Sequence, residues 1–288
     1  MPLTGTAPAP FAVSDQELEQ LEIELLMEAV RRRYGYDFSD YRPEPLLRSV
    51  QRFRDGLGQP TLTQVIGRVL REPAFFFELL SALSINVTAM FRDSRVFAAL
   101  RQQVLPMLRT WPHAKVWDAG CATGEEAYSL AVMLHETGLL DRTIVYATDI
   151  SAPALQTAKA GIYPLETIRQ GQVSYLESGG PGPFSNYYLA NGNAAIMDGR
   201  LRNRIVFARH NLVTDAAFGD MQLICCRNVL IYFNEDLQDR VLHLFGECLD
   251  VGGYLVLGER ESLLGSKAAA AFEPVCQLSN IYRKKRGL

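Results

Sequence analysis

Histidine is scarce in this chain. There are four among 288 residues, and none stands at metal-ligand spacing from a cysteine or a carboxylate, so no metal is expected. Cysteine is nearly as rare: five are scattered, no CxxC pair occurs, and Cys225 and Cys226 lie together inside an apolar run. That usage suits buried, reduced thiols in a cytosolic protein. No run approaches the roughly 18 apolar residues that a membrane helix needs. The opening "MPLTGTAPAPFAVSDQ" has neither the positive nor the apolar region of a secretory leader and reads as a short tail over residues 1–13. A formal net charge of −3 leaves no global basic field for nucleic acid or anionic lipid.

The chain is long enough for one large domain or two small ones with a sizeable core. Residues 14–85 read as all-helical. "SDQE" at 14–17 has the form of a capping box, with Ser14 accepting from the third amide and Glu17 reaching back. Leu18, Leu21, Leu25, Leu26 and Met27 then recur at helical spacing. Acidic residues lead that helix, Arg31, Arg32 and Arg33 close it, and Gly35 stops it. A second helix is expected from about Pro45 to Asp55, and shorter ones near Leu62–Arg71 and Phe75–Leu83.

From Lys115 the pattern changes. "KVWDAG" is an apolar run ending in Asp and Gly; "EEAYSLAVMLHETG" is an amphipathic helix; "TIVYATDIS" is a second buried strand, and "APALQTAKAGIY" a second helix. Strand and helix alternating in this way predict an α/β fold with a parallel sheet. "RIVFARHNL", "MQLICCRNVLIYF", the helix "DLQDRVLHLFGECL" and "GGYLVLGERESL" continue it. Residues 175–205 break the rhythm. "NYYLANGNAAIM" reads as a hairpin around Asn-Gly, part of a small antiparallel subdomain inserted in the sheet domain.

The chemistry is concentrated in "DAGCATGEE", residues 118–126. A Gly-rich turn between strand and helix lets a ligand lie against backbone N–H groups. The spacing Gly120-x-x-x-Gly124 is not the G-x-G-x-x-G of a dinucleotide site. Glu125 and Glu126 at the helix start would repel a pyrophosphate. They suit a cationic ligand without phosphate, and S-adenosylmethionine, with its ammonium and sulfonium, is one. Asp149 closes the next strand, where a carboxylate commonly accepts from ribose hydroxyls.

With these stretches in hand the chain resembles the CheR family, the chemotaxis receptor glutamate O-methyltransferases. The resemblance rests on "NVTAMFRD", "WDAGCATGEEAYSLA", "ATDIS", "HNL" and "CRNVLIYF". It implies an all-helical N-terminal domain over residues 14–85. A Rossmann-like class I methyltransferase domain would span 86–288, carrying the inserted antiparallel β-subdomain. It further implies that Asn86, Thr88 and Arg92 line the cofactor pocket, that Glu125 holds the methionine end and Asp149 the ribose. Asn211 and Leu212 would lie beside the adenine, Asn228 and Val229 after the late strand, and Tyr232 near the methyl group. Arg92 and Tyr232 are the catalytic candidates.

The implied substrate is a glutamate on the cytoplasmic helices of a chemotaxis receptor. Such a carboxylate is already ionised at neutral pH, so the nucleophile needs no general base. Receptor helices are acidic near their methylation sites, which makes Arg42, Arg48, Arg52 and Arg54 the candidate docking residues. In "LLRSVQRFR" this basic run is interrupted by Leu47 and Ser49. The expected protein is a cytoplasmic monomer recruited to membrane-bound receptor arrays, without nucleic acid and without membrane insertion. Two alternatives stay open. A methyltransferase of DNA bases or small molecules is opposed by the missing proline motif in "RNVLIYF" and by the acidic charge. A catalytically silent S-adenosylmethionine or S-adenosylhomocysteine sensor would bind without turnover.

Overall fold

The computed structural model describes residues 13–58, 61–83, 88–276 and 279–286. The expected tail therefore lies outside the described residues except for Val13, as does the cofactor candidate Asn86. The chain divides into two compact units, one of residues 1–39 and 43–83, the other of 40–42 and 84–288.

The first unit is helical: α1 (Asp15–Tyr34), α2 (Pro43–Gly56), α3 (Leu62–Arg71) and α4 (Pro73–Leu83). The capping box forms, with Ser14 N donating to Glu17 at 2.9 Å and Glu17 N to Ser14 Oγ at 3.3 Å. Glu22 caps α3 by accepting from the amides of Leu62 (3.3 Å) and Thr63 (2.9 Å). The core takes Ile23, Leu26 and Val30 from α1, Leu62, Val65 and Val69 from α3, and Phe75, Phe76 and Leu79 from α4. The Tyr34 ring stacks on Phe76 with centroids 3.9 Å apart. Of the leucines that recur along α1, only Leu26 belongs to this core; Leu18, Leu21 and Leu25 face solvent. The helical period is right, but the buried stripe runs through Ile23 and Val30.

The second unit opens with α5 (Ser94–Ala99) and α6 (Leu105–Leu108). A seven-stranded sheet follows in the order β6-β2-β1-β7-β8-β10-β9. Its parallel members are β1 (Ala114–Ala119), β2 (Thr143–Asp149), β6 (Ile205–Arg209), β7 (Met221–Cys226) and β8 (Leu249–Leu257). Helices α7 (Glu125–Glu136), α8 (Ala152–Ala160) and α11 (Glu235–Cys248) connect them. Every residue of β7 is buried, which explains why its run is apolar apart from Gln222. One core, with Val116, Tyr128 and Cys225, lies on one side of the sheet; another, with Trp117, Ile224 and Phe245, on the other. At one edge β9 (Phe272–Cys276) and β10 (Ile281–Lys284) turn antiparallel; the alternation of strand and helix does not predict them.

The small antiparallel sheet, β3-β5-β4, joins β3 (Ile162–Pro164), β5 (Ala194–Met197) and β4 (Tyr188–Asn191). Asn191 pairs with Ala194, so the turn residues are Gly192 and Asn193, one position later than an Asn-Gly turn would have it. Strand β3 and helix α9 (Leu165–Glu177) precede or overlap the start expected at residue 175, and α10 (Gly199–Arg202) closes the insertion. Glu136, on α7, ties the insertion down by accepting from Tyr175 and Tyr187 and pairing with Arg101.

Candidate active site

Because β1, β2, β6 and β7 run parallel, their carboxyl ends meet at one edge of the sheet, where ligands of open α/β folds bind. The Gly-rich turn leaves β1 there. Gly120 has φ of +88°, and a Cβ on it would overlap the Val229 side chain. Gly124, at φ +94°, begins α7, and its Cβ would stand 2.8 Å from that of Ala158. Glycine is required at both places by conformation and by space. Between them Ala122 also adopts positive φ, +47°. Asp149 holds it, accepting from Ala122 N at 2.9 Å through one carboxylate oxygen and from Ser151 N at 2.8 Å through the other. Asp149, the residue expected at the ribose, thus also shapes the turn.

The two acidic residues that open α7 diverge. Glu126 turns to Arg227, Oε2 to Nη1 2.7 Å. Glu125 is 5% exposed, and Thr123 Oγ1 donates to it at 2.6 Å. Beneath the turn Asp118 is 2% exposed, with one carboxylate oxygen lacking any hydrogen-bond partner. Burial raises Asp118, Glu125, Glu126 and Asp149 above the ordinary carboxylate range, with Arg227 opposing the shift at Asp118 and Glu126. A site with this excess of buried acid gains from a cation and repels a phosphate. The residues therefore fit S-adenosylmethionine.

Arg92 stands in a strained turn: its neighbours Phe91 and Asp93 both have positive φ, +54° and +60°. Phe91 N donates to Ser129 Oγ on α7 at 2.9 Å, and Arg227 Nη2 donates to Arg92 O at 2.8 Å and to Asp93 Oδ2 at 2.7 Å. The Arg227 side chain is 1% exposed. It links the Arg92 turn, the first turn of α7 and the end of β7. Thr88 is half-buried near the start of this segment.

Asn228 and Val229 follow Arg227, Asn228 at φ +61°. Their loop closes on Glu261, whose carboxylate accepts from Asn228 N (3.0 Å), Val229 N (2.8 Å), Ile231 N (3.3 Å) and Gly258 N (2.6 Å). Burial raises Glu261, and these amides oppose the rise. Tyr232 is half-buried, and its carbonyl accepts from Arg42 N at 2.9 Å. Arg42 Nε also donates to Phe233 O at 3.1 Å, and Tyr41 bridges to Phe233. Asn211 spends its side chain on Val213 N at 3.0 Å, and Leu212 packs in the core that holds Trp117.

The structure thus gathers Gly120, Asp149 and Val229 at the turn. Arg227 joins Arg92 to the same edge. Arg42 lies beside Tyr232, whereas Arg48, Arg52 and Arg54 belong to the helical unit. Arg48 and Arg52 are exposed; Arg54 is paired with Glu19 and Asp55. Three participants escaped the sequence reading. Arg227 had a signal, being the one charge inside "MQLICCRNVLIYF". Asp118 is a carboxylate ending an apolar strand, the same sign that singled out Asp149. Glu261 had none, since "GERES" offers three charged residues with nothing to rank them.

Among known families, one described as the CheR methyltransferase SAM binding domain matches residues 86–277, and one described as the CheR methyltransferase all-alpha domain matches 21–84. The chain is 47% identical to a Pseudomonas putida protein named methyltransferase Cher3 over 264 residues, covering 92% of this chain and 97% of that one. It is 35% identical to a chemotaxis protein methyltransferase of Vibrio anguillarum, over 71% of this chain and 74% of that one. With the chemotaxis protein methyltransferase of Listeria monocytogenes it shares 30% identity over 82% of this chain and 87% of that one.

Proposed function

The chain belongs to the CheR methyltransferase family, and we propose that it methylates glutamate side chains on the cytoplasmic helices of chemotaxis receptors. The products would be glutamyl methyl esters and S-adenosylhomocysteine. That it is a methyltransferase built to bind S-adenosylmethionine follows from the family and from the acidic turn. The substrate assignment is our own reading. It is supported by the names of the relatives and by one observation above all: the backbone of Arg92 is held by Arg227, which also pairs with Glu126 in the first turn of α7, beside the Gly-rich turn where a carboxylate substrate would need a cation to align it.

The bound cofactor supplies a methyl group on a sulfonium. A glutamate with pKa near 4.3 reaches the site as an anion, so no residue has to remove a proton. The new O–C bond forms as the C–S bond breaks, and an anion and a cation become two neutral products. Alignment and exclusion of water are what remains for the protein. Glu125 and the Gly120 turn would hold the methionine end and Asp149 the ribose, with Thr88 and Arg92 completing the pocket. Asn211 and Leu212 would flank the adenine, and Asn228 and Val229 would close the site from the side of β7. Arg92 and Tyr232 orient the incoming carboxylate. Too strong an ion pair would stabilise the ground state, so orientation rather than neutralisation is their task. Arg42, Arg48 and Arg52 offer positive charge to an acidic receptor helix; Arg54, already paired, contributes least. No described helix is long and apolar enough to cross a membrane, and the protein would act at receptor arrays as a monomer that docks there.

Incubation with methyl-labelled S-adenosylmethionine and receptor-containing membranes tests this directly. Label on the receptor, released as methanol by mild base, is the expected result. Arg92→Ala should lower it at least about a hundredfold. Cofactor binding without base-labile label on any receptor would overturn the substrate assignment.

A further inference from the structure

Helix α1 has two apolar faces, and among the described residues one of them is buried. Ile23, Leu26 and Val30 are buried, while Leu18, Leu21 and Leu25 remain 50%, 48% and 52% exposed. Their spacing of three and four residues makes a single stripe, the a and d positions of a short heptad seam. Beside it a hollow of about 630 Å³ opens between α1 and α2, lined in part by Leu21, Glu24, Leu47 and Gln51. An incoming helix would find both a seam and a socket.

The flanks of the stripe say what kind of helix. In the same heptad frame Asp15 and Glu22 border one side, Glu22 being engaged in capping α3, and Glu17 and Glu24 border the other, Glu17 within the capping box; no basic residue occurs between Ser14 and Val30. Arg31 and Arg32, which follow, are paired with Glu28. Flanking charges decide coiled-coil partners. Two copies of α1 would set carboxylate against carboxylate in either orientation, so a second copy of this chain is the wrong occupant. We propose that the outer face of α1 is a docking seam for an amphipathic helix of another protein, with apolar residues on its seam and lysine or arginine at its flanks. This partner is opposite in charge to the acidic helix that the α2 arginines would meet, and the inference stands independently of methyl transfer.

The full-length protein can be titrated by fluorescence anisotropy with two labelled helical peptides that share seam leucines, one flanked by lysines and one by glutamates. The lysine peptide should bind, and its affinity should fall about tenfold or more between about 0.05 and about 0.5 M salt. Leu21→Lys should abolish that binding while leaving cofactor affinity unchanged. Glu24→Lys should weaken the lysine peptide and favour the glutamate one. No binding of either peptide, or equal binding of both, would overturn the proposal. So would Leu21-dependent self-association in sedimentation velocity, which would make a second copy the occupant.

Discussion

In the helical unit Glu28 meets Arg31 and Arg32, and Arg68 meets Glu72, with every partner at least 37% exposed. In the methyltransferase unit Arg227 is 1% exposed and holds Glu126, Asp93 and a backbone carbonyl, while Glu261, 5% exposed, collects four backbone amides. The same residue types serve two ends. At the surface an ion pair exchanges one set of hydrogen bonds for another with water and decides little. In the interior each charge has lost its water, so its partners are fixed and it fixes them in return. Buried charge therefore sets geometry at the candidate site, and surface charge in the helical unit is free to serve recognition.

Removing the interior charge should break this contrast most visibly. Arg227→Met leaves Glu126 and Asp93, whose side chains are 13% and 23% exposed, without their cation, and a stability loss of about 3 kcal/mol is expected in urea denaturation. Methyl transfer should fall further than the folded fraction, because the turn bearing Arg92 loses its hold. Gly120→Ala tests the site without touching charge: a methyl group at φ +88° against Val229 should cost about 1–3 kcal/mol and weaken cofactor binding measured by calorimetry.

Proton linkage sharpens the comparison. Burial raises Asp118, so the folded state holds its proton at pH values where the unfolded chain, with a carboxylate near 3.9, has released it. Wild-type stability relative to Asp118→Asn should be greatest below that value and decline as pH rises through the folded one. Affinity for the cationic cofactor should rise over the same interval, and less steeply in the variant. At the small end, Glu28→Gln on the exposed face of α1 should leave the urea midpoint within experimental error.

Much of the fold was legible because it depends on periodicity. The Ser14 cap, the extent of α3, the strands around Trp117 and Val145 and the helix starting at Glu125 all have local signals. Where the reading went astray, the deciding contact was distant. Which stripe of α1 is buried depends on α3 and α4, and β3 joins the inserted sheet by pairing with a strand more than thirty residues later. The site shows the same division. Gly120 and Glu125 stand in a turn motif and Asp149 ends the next strand, so each can be picked out singly. Arg227 and Glu261 matter through partners about a hundred and thirty residues away, in the case of Asp93, and about thirty, in the case of Val229.

By itself the sequence determined the order of helix and strand, the acidic cofactor turn and the cationic character of its ligand. These follow from side-chain period and from glycine's freedom at positive φ, which are properties of neighbouring residues. Tertiary structure alone decided which charges are buried, which leucines stay in water and how the Arg92 turn is held. Desolvation is a property of everything that surrounds a group, and most of what surrounds Arg227 comes from elsewhere in the chain.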